Sequence, residues 1–343
     1  MSASPVVDGG GDSSDGGLVD RFGRVATDLR VSLTDRCNLR CTYCMPAEGL
    51  PWLPSSHVLT TAEVCRLIDI AVRDLGITSI RFTGGEPLLR ADLPTIVAHA
   101  AALEPRPELA LTTNGLSLAR KAPELRAAGL DRVNVSLDTV DREAYALVTR
   151  RDRLDDVLAG LRAAHAAGLQ PVKVNAVLGP GRVGDAVPLL ELCLRAGYEL
   201  RIIEQMPLDA GHTWDRTEMV TADAVLTALA ERFTLTPAAE PRGSAPAERF
   251  VVDGGPATVG VIAAVTRPFC GDCDRVRLTA DGGVRTCLFA RDETDLMSLL
   301  RADATDAEIA AVWRGAMLGK QAGHGIDDPT FLQPSRPMSA IGG

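Results

Sequence analysis

The sequence predicts an α/β fold: an incomplete (β/α)6 barrel of the TIM type, followed by a smaller C-terminal α+β domain. Three observations carry this expectation. Short aliphatic runs alternate with helical patterns six times between residues 30 and 204, and repeated strand-helix alternation builds a parallel sheet with right-handed crossovers. The rhythm changes after Met206. The composition, 46% hydrophobic but only 4% aromatic, suits aliphatic strands covered by helices. With 343 residues, the chain accommodates one large domain of about 200 to 250 residues and a smaller one.

Residues 1–17 are mostly Gly, Ser, Asp and Pro with almost nothing to bury, and read as a disordered extension. The barrel is expected over 18–220. Its strands are 30–33 (RVSL), 79–83 (SIRFT), 109–112 (LALT), 132–137 (RVNVSL), 172–178 (VKVNAVL) and 199–204 (ELRIIE). Six units fall short of the eight that close such a barrel. Helices are expected near 61–74, 92–103, 117–128, 153–167 and 185–196, several closed by a glycine, at Gly76, Gly129, Gly168 and Gly197. Thr60 and Glu63 have the spacing of a capping box. The smaller domain, 221–343, begins with a helix near 221–232 and a Pro- and Ala-rich stretch at 237–247. It continues with a hairpin around Asp281-Gly282-Gly283 and helices near 293–301 and 305–320. In barrels of this kind the active site lies at the C-terminal ends of the strands, where the functional residues are expected.

A net charge of -9 argues against broad nucleic-acid binding. No run of about 18 apolar residues could span a bilayer, and no basic stretch precedes an apolar signal core. The reading is a cytosolic protein without a membrane partner. Eight cysteines in a reducing compartment are poor candidates for disulfides. Six of them fall into two tight groups, which points to metal or cluster binding.

The first group, Cys37-x3-Cys41-x2-Cys44, follows the first strand. Three thiolates at this spacing can take three corners of a 4Fe-4S cube and leave one iron open to a ligand. A zinc knot with a distant fourth ligand such as His57, or buried thiols, is the other reading. The spacing together with Tyr43 resembles the radical S-adenosylmethionine superfamily. Gly84-Gly85-Glu86-Pro87, at the end of the second strand, is similar to that superfamily's glycine-rich cofactor motif, where glycines let the backbone approach the ligand closely. The resemblance implies reductive cleavage of S-adenosylmethionine to methionine and a 5′-deoxyadenosyl radical.

The second group is Cys270-x2-Cys273-x13-Cys287, with Cys287 on the far arm of the hairpin. A zinc ribbon is the alternative here, although a ribbon would want a fourth Cys or His close by. Both groups coincide with Thr34-Asp35-Arg36-Cys37-Asn38, with Leu111-Thr112-Thr113-Asn114-Gly115 and with a C-terminal Gly342-Gly343. In that combination the chain, from about residue 18 to the end, resembles the GTP 3′,8-cyclase family, also known as molybdenum cofactor biosynthesis protein A. The resemblance implies a second 4Fe-4S cluster on the smaller domain, holding the guanine base. It also implies conversion of GTP to (8S)-3′,8-cyclo-7,8-dihydroguanosine 5′-triphosphate, the first step of molybdenum cofactor biosynthesis. An electron donor such as flavodoxin or ferredoxin and a downstream cyclic pyranopterin monophosphate synthase are the implied partners. A monomer and a homodimer are both compatible with the sequence.

Family motifs assign GTP to Arg30, Arg81, Thr112, Lys173, Arg275 and Arg277, and guanidinium forks suit a triphosphate. They assign S-adenosylmethionine to Tyr43, Gly85, Ser136 and Met206, with Met206 a soft surface for adenine. The family also implies that the Gly-Gly tail reaches into the active site. Arg201 could face the substrate, but its motif match is looser. Cys65 and Cys193 lie on apolar helical patterns and read as small core residues, and the five histidines show no ligand spacing. Two competing readings remain: another radical S-adenosylmethionine enzyme acting on a peptide or tetrapyrrole, and a non-catalytic iron-sulfur or zinc scaffold. The first class often carries longer cysteine-rich tails; in the second, two open triads and the Gly-Gly-Glu-Pro segment would be superfluous.

Overall fold

The computed structural model describes residues 16–342. Residues 1–15 of the expected extension, and Gly343, lie outside the described residues. Six strands appear where the aliphatic runs predict them: β1 (Asp28–Ser32), β2 (Ser79–Thr83), β3 (Glu108–Thr113), β4 (Arg132–Ser136), β5 (Val172–Val177) and β6 (Glu199–Ile203). They pair in parallel in chain order. The connections carry α1 (Thr61–Arg73), α2 (Leu93–Ala101), α3 (Leu118–Ala127), α4 (Arg142–Thr149), α5 (Leu154–Ala166) and α6 (Ala186–Ala196). The capping box of Thr60 and Glu63 is present at α1. Helix α4 was not expected. It buries only Ala144, Tyr145 and Thr149, too few positions for a helical period to stand out, and it is marked mainly by its N-cap, Asp141, which accepts from the Ala144 amide at 2.8 Å.

The segment after residue 220 contributes α7 (Ala222–Ala230), β7 (Leu235–Pro237), β8 (Glu248–Val252), β9 (Thr258–Ile262), β10 (Arg275–Leu278), β11 (Gly283–Arg285) and β12 (Thr294–Asp295). It ends in α8 (Met297–Arg301), α9 (Asp306–Leu318) and the short α10 (Met338–Ile341). Expected as a separate smaller domain, this segment builds no sheet of its own among the described residues. Strand β9 pairs in parallel with β6, and β10 pairs in parallel with β1. The result is one mixed sheet in the order β12-β11-β10-β1-β2-β3-β4-β5-β6-β9-β8-β7. The physical reason is that β1 and β6 would otherwise present unpaired backbone edges, and both are covered by strands from the same downstream segment.

Each parallel strand has two unlike faces, as its period of two dictates. Leu29, Val31, Ile80, Phe82, Leu109, Leu111, Val133, Val135, Val172, Val174, Leu200 and Ile202 are all buried in one core with the helices. The opposite parity carries Arg30, Arg81, Thr112, Asn134, Lys173, Asn175 and Arg201, placed by register on one face of the sheet. A parallel sheet packed on both faces would read as continuous apolar runs. This one keeps a polar face.

Candidate functional site

The polar face closes on a cavity of about 280 Å³. Arg30, Arg81, Thr112, Ser136, Asn175, Arg201, Ile262 and Arg277, from eight strands, line it. The arginines do not sit at strand C-termini, where they were expected: Arg30, Arg81 and Arg201 are each the third of five residues in their strands. They face the cavity because of strand parity, not because they stand at a rim.

Charge in this cavity is unbalanced. Asp28 is shared by Arg30 at 3.8 Å and Arg81 at 3.5 Å. Lys173 is ion-paired to Glu199 at 2.9 Å and is not among the residues lining the cavity, so the structure does not bring it to the place the motif implies. Among the described residues, Arg201, Arg275 and Arg277 have no carboxylate within ion-pair distance. Arg201 donates to the Asn134 amide oxygen at 3.3 Å, and Arg275 donates to the Ser244 carbonyl at 3.2 Å while lying over the Phe269 ring. Burial, with cationic neighbours, pulls Arg277 down to about 9 and Arg201 to about 10, and pulls Arg81 well below the usual guanidinium range. The buried Nε atoms of Arg30 and Arg81, the Ser32 hydroxyl and the Asn175 amide oxygen have no hydrogen-bond partner. Buried cations and orphaned polar atoms at this density call for a polyanionic, hydrogen-bonding ligand.

The first cysteine loop leaves the C-terminal end of β1, as expected. Its turn is closed by the Cys44 amide donating to the Cys41 carbonyl at 2.9 Å, and all three thiols are free. Burial, and then the charges of Asp138 and the neighbouring thiolates, raises Cys41 well above the ordinary thiol range; burial and then Cys37 raise Cys44 to about 12, and burial also raises Cys37. Such a trio needs a cationic group between the sulfurs to exist as thiolates, and an iron-sulfur cluster supplies one. The glycine motif supports the loop directly. The Gly85 amide donates to the Thr34 carbonyl and the Glu86 amide to the Arg36 carbonyl, both at 2.7 Å. A Cβ on Gly85 would lie 2.3 Å from the Arg36 carbonyl oxygen. The closest approach that requires glycine is therefore to the cysteine loop's own backbone, where the sequence suggested room for a ligand, and Gly85 is not part of the cavity lining. Gly85→Ala is expected to push residues 34–36 out of place and release the iron held by Cys37, Cys41 and Cys44. Iron and sulfide per chain after anaerobic reconstitution measure this.

Tyr43, Ser136 and Met206 line the cavity together. Sequence reasoning missed Asp138 beside them. Its carboxylate accepts from the Tyr43 hydroxyl at 2.9 Å and the Val177 amide at 2.8 Å, and burial raises it to about 6. Its signal was a carboxylate two residues past Ser136, just beyond a strand end. Glu86 accepts from the Thr113 hydroxyl and the Asn114 amide, both at 2.7 Å, and burial raises it to about 7.

Cys270, Cys273 and Cys287 line the same cavity from the opposite side of the sequence. Although burial works against it, Arg275 and Lys320 hold the Cys273 thiol below its usual value. Among the described residues no three His, Cys, Asp or Glu side chains stand close enough to share one metal ion; thiolates on the corners of a cube stand further apart. The one histidine of the lining, His324, is no spare zinc ligand. Its Nε2 lies 3.0 Å from the Ala264 carbonyl and its Nδ1 accepts from the Ile326 amide at 3.1 Å.

The C-terminal segment reaches the edge of the cavity through residues ahead of the Gly-Gly end, and Gly343 lies outside the described residues. Met338 lines the cavity, Ser339 hydrogen-bonds Cys44, and the Gly342 carbonyl accepts from Arg277. Arg336 anchors the segment to Asp281, and to Glu293 at 3.3 Å. Cys65 and Cys193 lie on α1 and α6, outside the lining, as expected.

Two family models match the chain: Radical SAM superfamily over residues 31–193, and Molybdenum Cofactor Synthesis C over residues 198–326. The chain is 65% identical over 335 residues to a GTP 3′,8-cyclase of Mycolicibacterium smegmatis, covering 96% of this chain and 93% of the relative. It is 66% identical over 328 residues to a GTP 3′,8-cyclase of Streptomyces coelicolor, covering 95% and 96%. Among solved structures it is similar to Streptococcus suis SuiB bound to S-adenosylmethionine, with a TM-score of 0.54 at 13% identity over 84% of this chain and 69% of SuiB. That likeness shows a shared fold.

Proposed function

The chain belongs to the GTP 3′,8-cyclase family of radical S-adenosylmethionine enzymes, and from that premise we infer how its own residues divide the work. The reaction is conversion of GTP to (8S)-3′,8-cyclo-7,8-dihydroguanosine 5′-triphosphate, the first step of molybdenum cofactor biosynthesis. One observation carries the assignment of residues: the second cysteine triad, Tyr43 of the first cysteine loop and an excess of buried arginines meet around a single cavity.

We read the six parallel strands as a partial barrel, whose polar parity forms a reaction chamber in place of a packed interior. Cys37, Cys41 and Cys44 would hold the first 4Fe-4S cluster, which when bound supplies the electron that cleaves S-adenosylmethionine to a 5′-deoxyadenosyl radical. Tyr43, Ser136 and Met206 place S-adenosylmethionine beside it, and Gly85 acts by seating the cysteine loop. Asp138 fixes the Tyr43 ring through its hydroxyl. Cys270, Cys273 and Cys287 would hold a second 4Fe-4S cluster on the C-terminal segment, facing the guanine base. The arginines do the rest of the binding: Arg30, Arg81 and Arg277 pair with the triphosphate, Arg275 reaches it from beside Cys273, and Thr112 donates or accepts at its edge. Lys173, ion-paired to Glu199 and outside the lining, is given no contact with GTP. The inserted tail excludes water from the space between the two triads.

The reading also calls for partners: GTP, a one-electron donor such as flavodoxin or ferredoxin, and a downstream cyclic pyranopterin monophosphate synthase. Free thiols throughout the described residues suit a reducing compartment, the cytoplasm. No helix among the described residues is long and apolar enough to cross a membrane.

Arg275 gives a direct test. Replacing it by alanine removes a charge-assisted contact of about 1.5 to 3 kcal/mol, so GTP affinity should fall by roughly 10- to 150-fold. Isothermal titration with GTP under anaerobic conditions measures this. Unchanged affinity would remove Arg275 from the triphosphate site.

A further inference from the structure

We infer that Arg24, in the short ribbon that precedes β1, is a positioning residue for the second cysteine triad. The inference rests on the reading that this triad carries a cluster. The ribbon pairs Leu18–Val19 with Val25–Ala26, and nothing in the chemistry of the cavity uses it. Arg24 does not line the cavity. Its guanidinium is nevertheless almost fully engaged, and the side chain as a whole is only 9% exposed.

The engagement is specific. Nη1 donates to the Cys270 carbonyl at 2.6 Å and to the Ala322 carbonyl at 3.0 Å. Nη2 donates to the Gln321 carbonyl at 2.6 Å. Nε donates to Asp20 at 2.6 Å, whose other oxygen accepts from the Phe22 and Arg24 amides at 2.8 and 3.0 Å, so the fork is aimed by the ribbon's own turn. A planar guanidinium presents its donors in a fixed, pre-organised fork, whereas an ammonium is a compact charge with three rotatable donors and does not fix the same geometry.

The two segments that Arg24 joins meet at two cysteines of the triad, Cys270 and Cys273. It touches the Cys270 loop directly. It also pins residues 321–322, and residues on either side of that pair reach the same loop. Lys320 donates to the Cys273 and Arg275 carbonyls at 3.1 and 2.8 Å, and the His324 amide hydrogen-bonds the Cys270 thiol. One side chain near the start of the chain therefore sets where Cys270 and Cys273 stand, and with them Arg275. None of its hydrogen bonds reaches the first cysteine loop.

The test separates this inference from the two-cluster reading beneath it. A C37A/C41A/C44A variant with Arg24 intact, reconstituted anaerobically, should hold about four iron atoms per chain and, once reduced with dithionite, show an electron paramagnetic resonance signal that GTP perturbs. If it holds none, the two-cluster reading fails, and the inference with it. In that same background Arg24→Ala is expected to lose most of the remaining iron. Arg24→Lys, which keeps the charge without the fork, should retain part of it with a shifted resonance signal. Thermal melting reports whether each variant folds. If the alanine variant does not, the lysine variant decides: native iron content and an unshifted signal in the folded variant would overturn the positioning role.

Discussion

Replacing Cys37 by alanine is expected to abolish, not merely slow, formation of 5′-deoxyadenosine from S-adenosylmethionine. Cys37, Cys41 and Cys44 lie on one short loop, and two remaining thiols cannot hold three corners of a cube. The surroundings offer no substitute. Asn114 points its amide at the Cys37 sulfur from 3.9 Å and donates to Asn38 at 2.7 Å; it is a donor in this role, not a ligand. Iron content should fall by about four atoms per chain. GTP binding should persist, because Arg30, Arg81 and Arg277 are on strands that do not depend on the loop for their pairing. Cleavage of S-adenosylmethionine by the variant would contradict the assignment of the first triad.

Gly342→Val should be nearly as damaging although it changes no charged or metal-binding group. Gly342 has φ +85°, where a β-branched residue is strained. A Cβ there would meet the Thr83 Cγ2 at 2.9 Å and the Ser32 Cβ at 3.1 Å, on the adjacent strands β2 and β1. The tail must then leave its seat, and Arg277 loses the Gly342 carbonyl. A charge-assisted hydrogen bond of about 1.5 to 3 kcal/mol is lost from the closed arrangement. GTP conversion is therefore expected to fall by at least roughly tenfold, with the iron content unchanged. Full turnover by this variant, measured as GTP consumed per chain, would mean that the seat of the tail is immaterial.

The six parallel strands were legible because strand and helix periods differ and the units repeat. The residues of the chamber were legible only as motif members. Their shared face follows from strand parity, which the runs VKVNAVL and ELRIIE display plainly: Lys173, Asn175 and Arg201 fall on the cavity parity while Val172, Val174 and Leu200 fall on the core parity. Arg201 could have been recognised on that ground, without any motif. Other features lay beyond a linear reading. Which strands cover the edges of β1 and β6 depends on pairings between residues more than 50 positions apart, and no local pattern encodes them. The partner of Lys173 is Glu199, on the neighbouring strand, so its charge looked free in the sequence and is not. Gly85 was recognised as a required glycine, yet what requires it is a carbonyl 49 residues earlier, that of Arg36.

The central claim is that one chamber couples cleavage of S-adenosylmethionine to conversion of GTP. The most direct measurement is an anaerobic assay of the iron- and sulfide-reconstituted protein with S-adenosylmethionine, dithionite and GTP, following 5′-deoxyadenosine and GTP loss together. The account predicts that both change in a fixed ratio and that 5′-deoxyadenosine formation depends on Cys37. Deoxyadenosine released without any loss of GTP would leave the radical chemistry in place and contradict the assignment of the chamber to GTP.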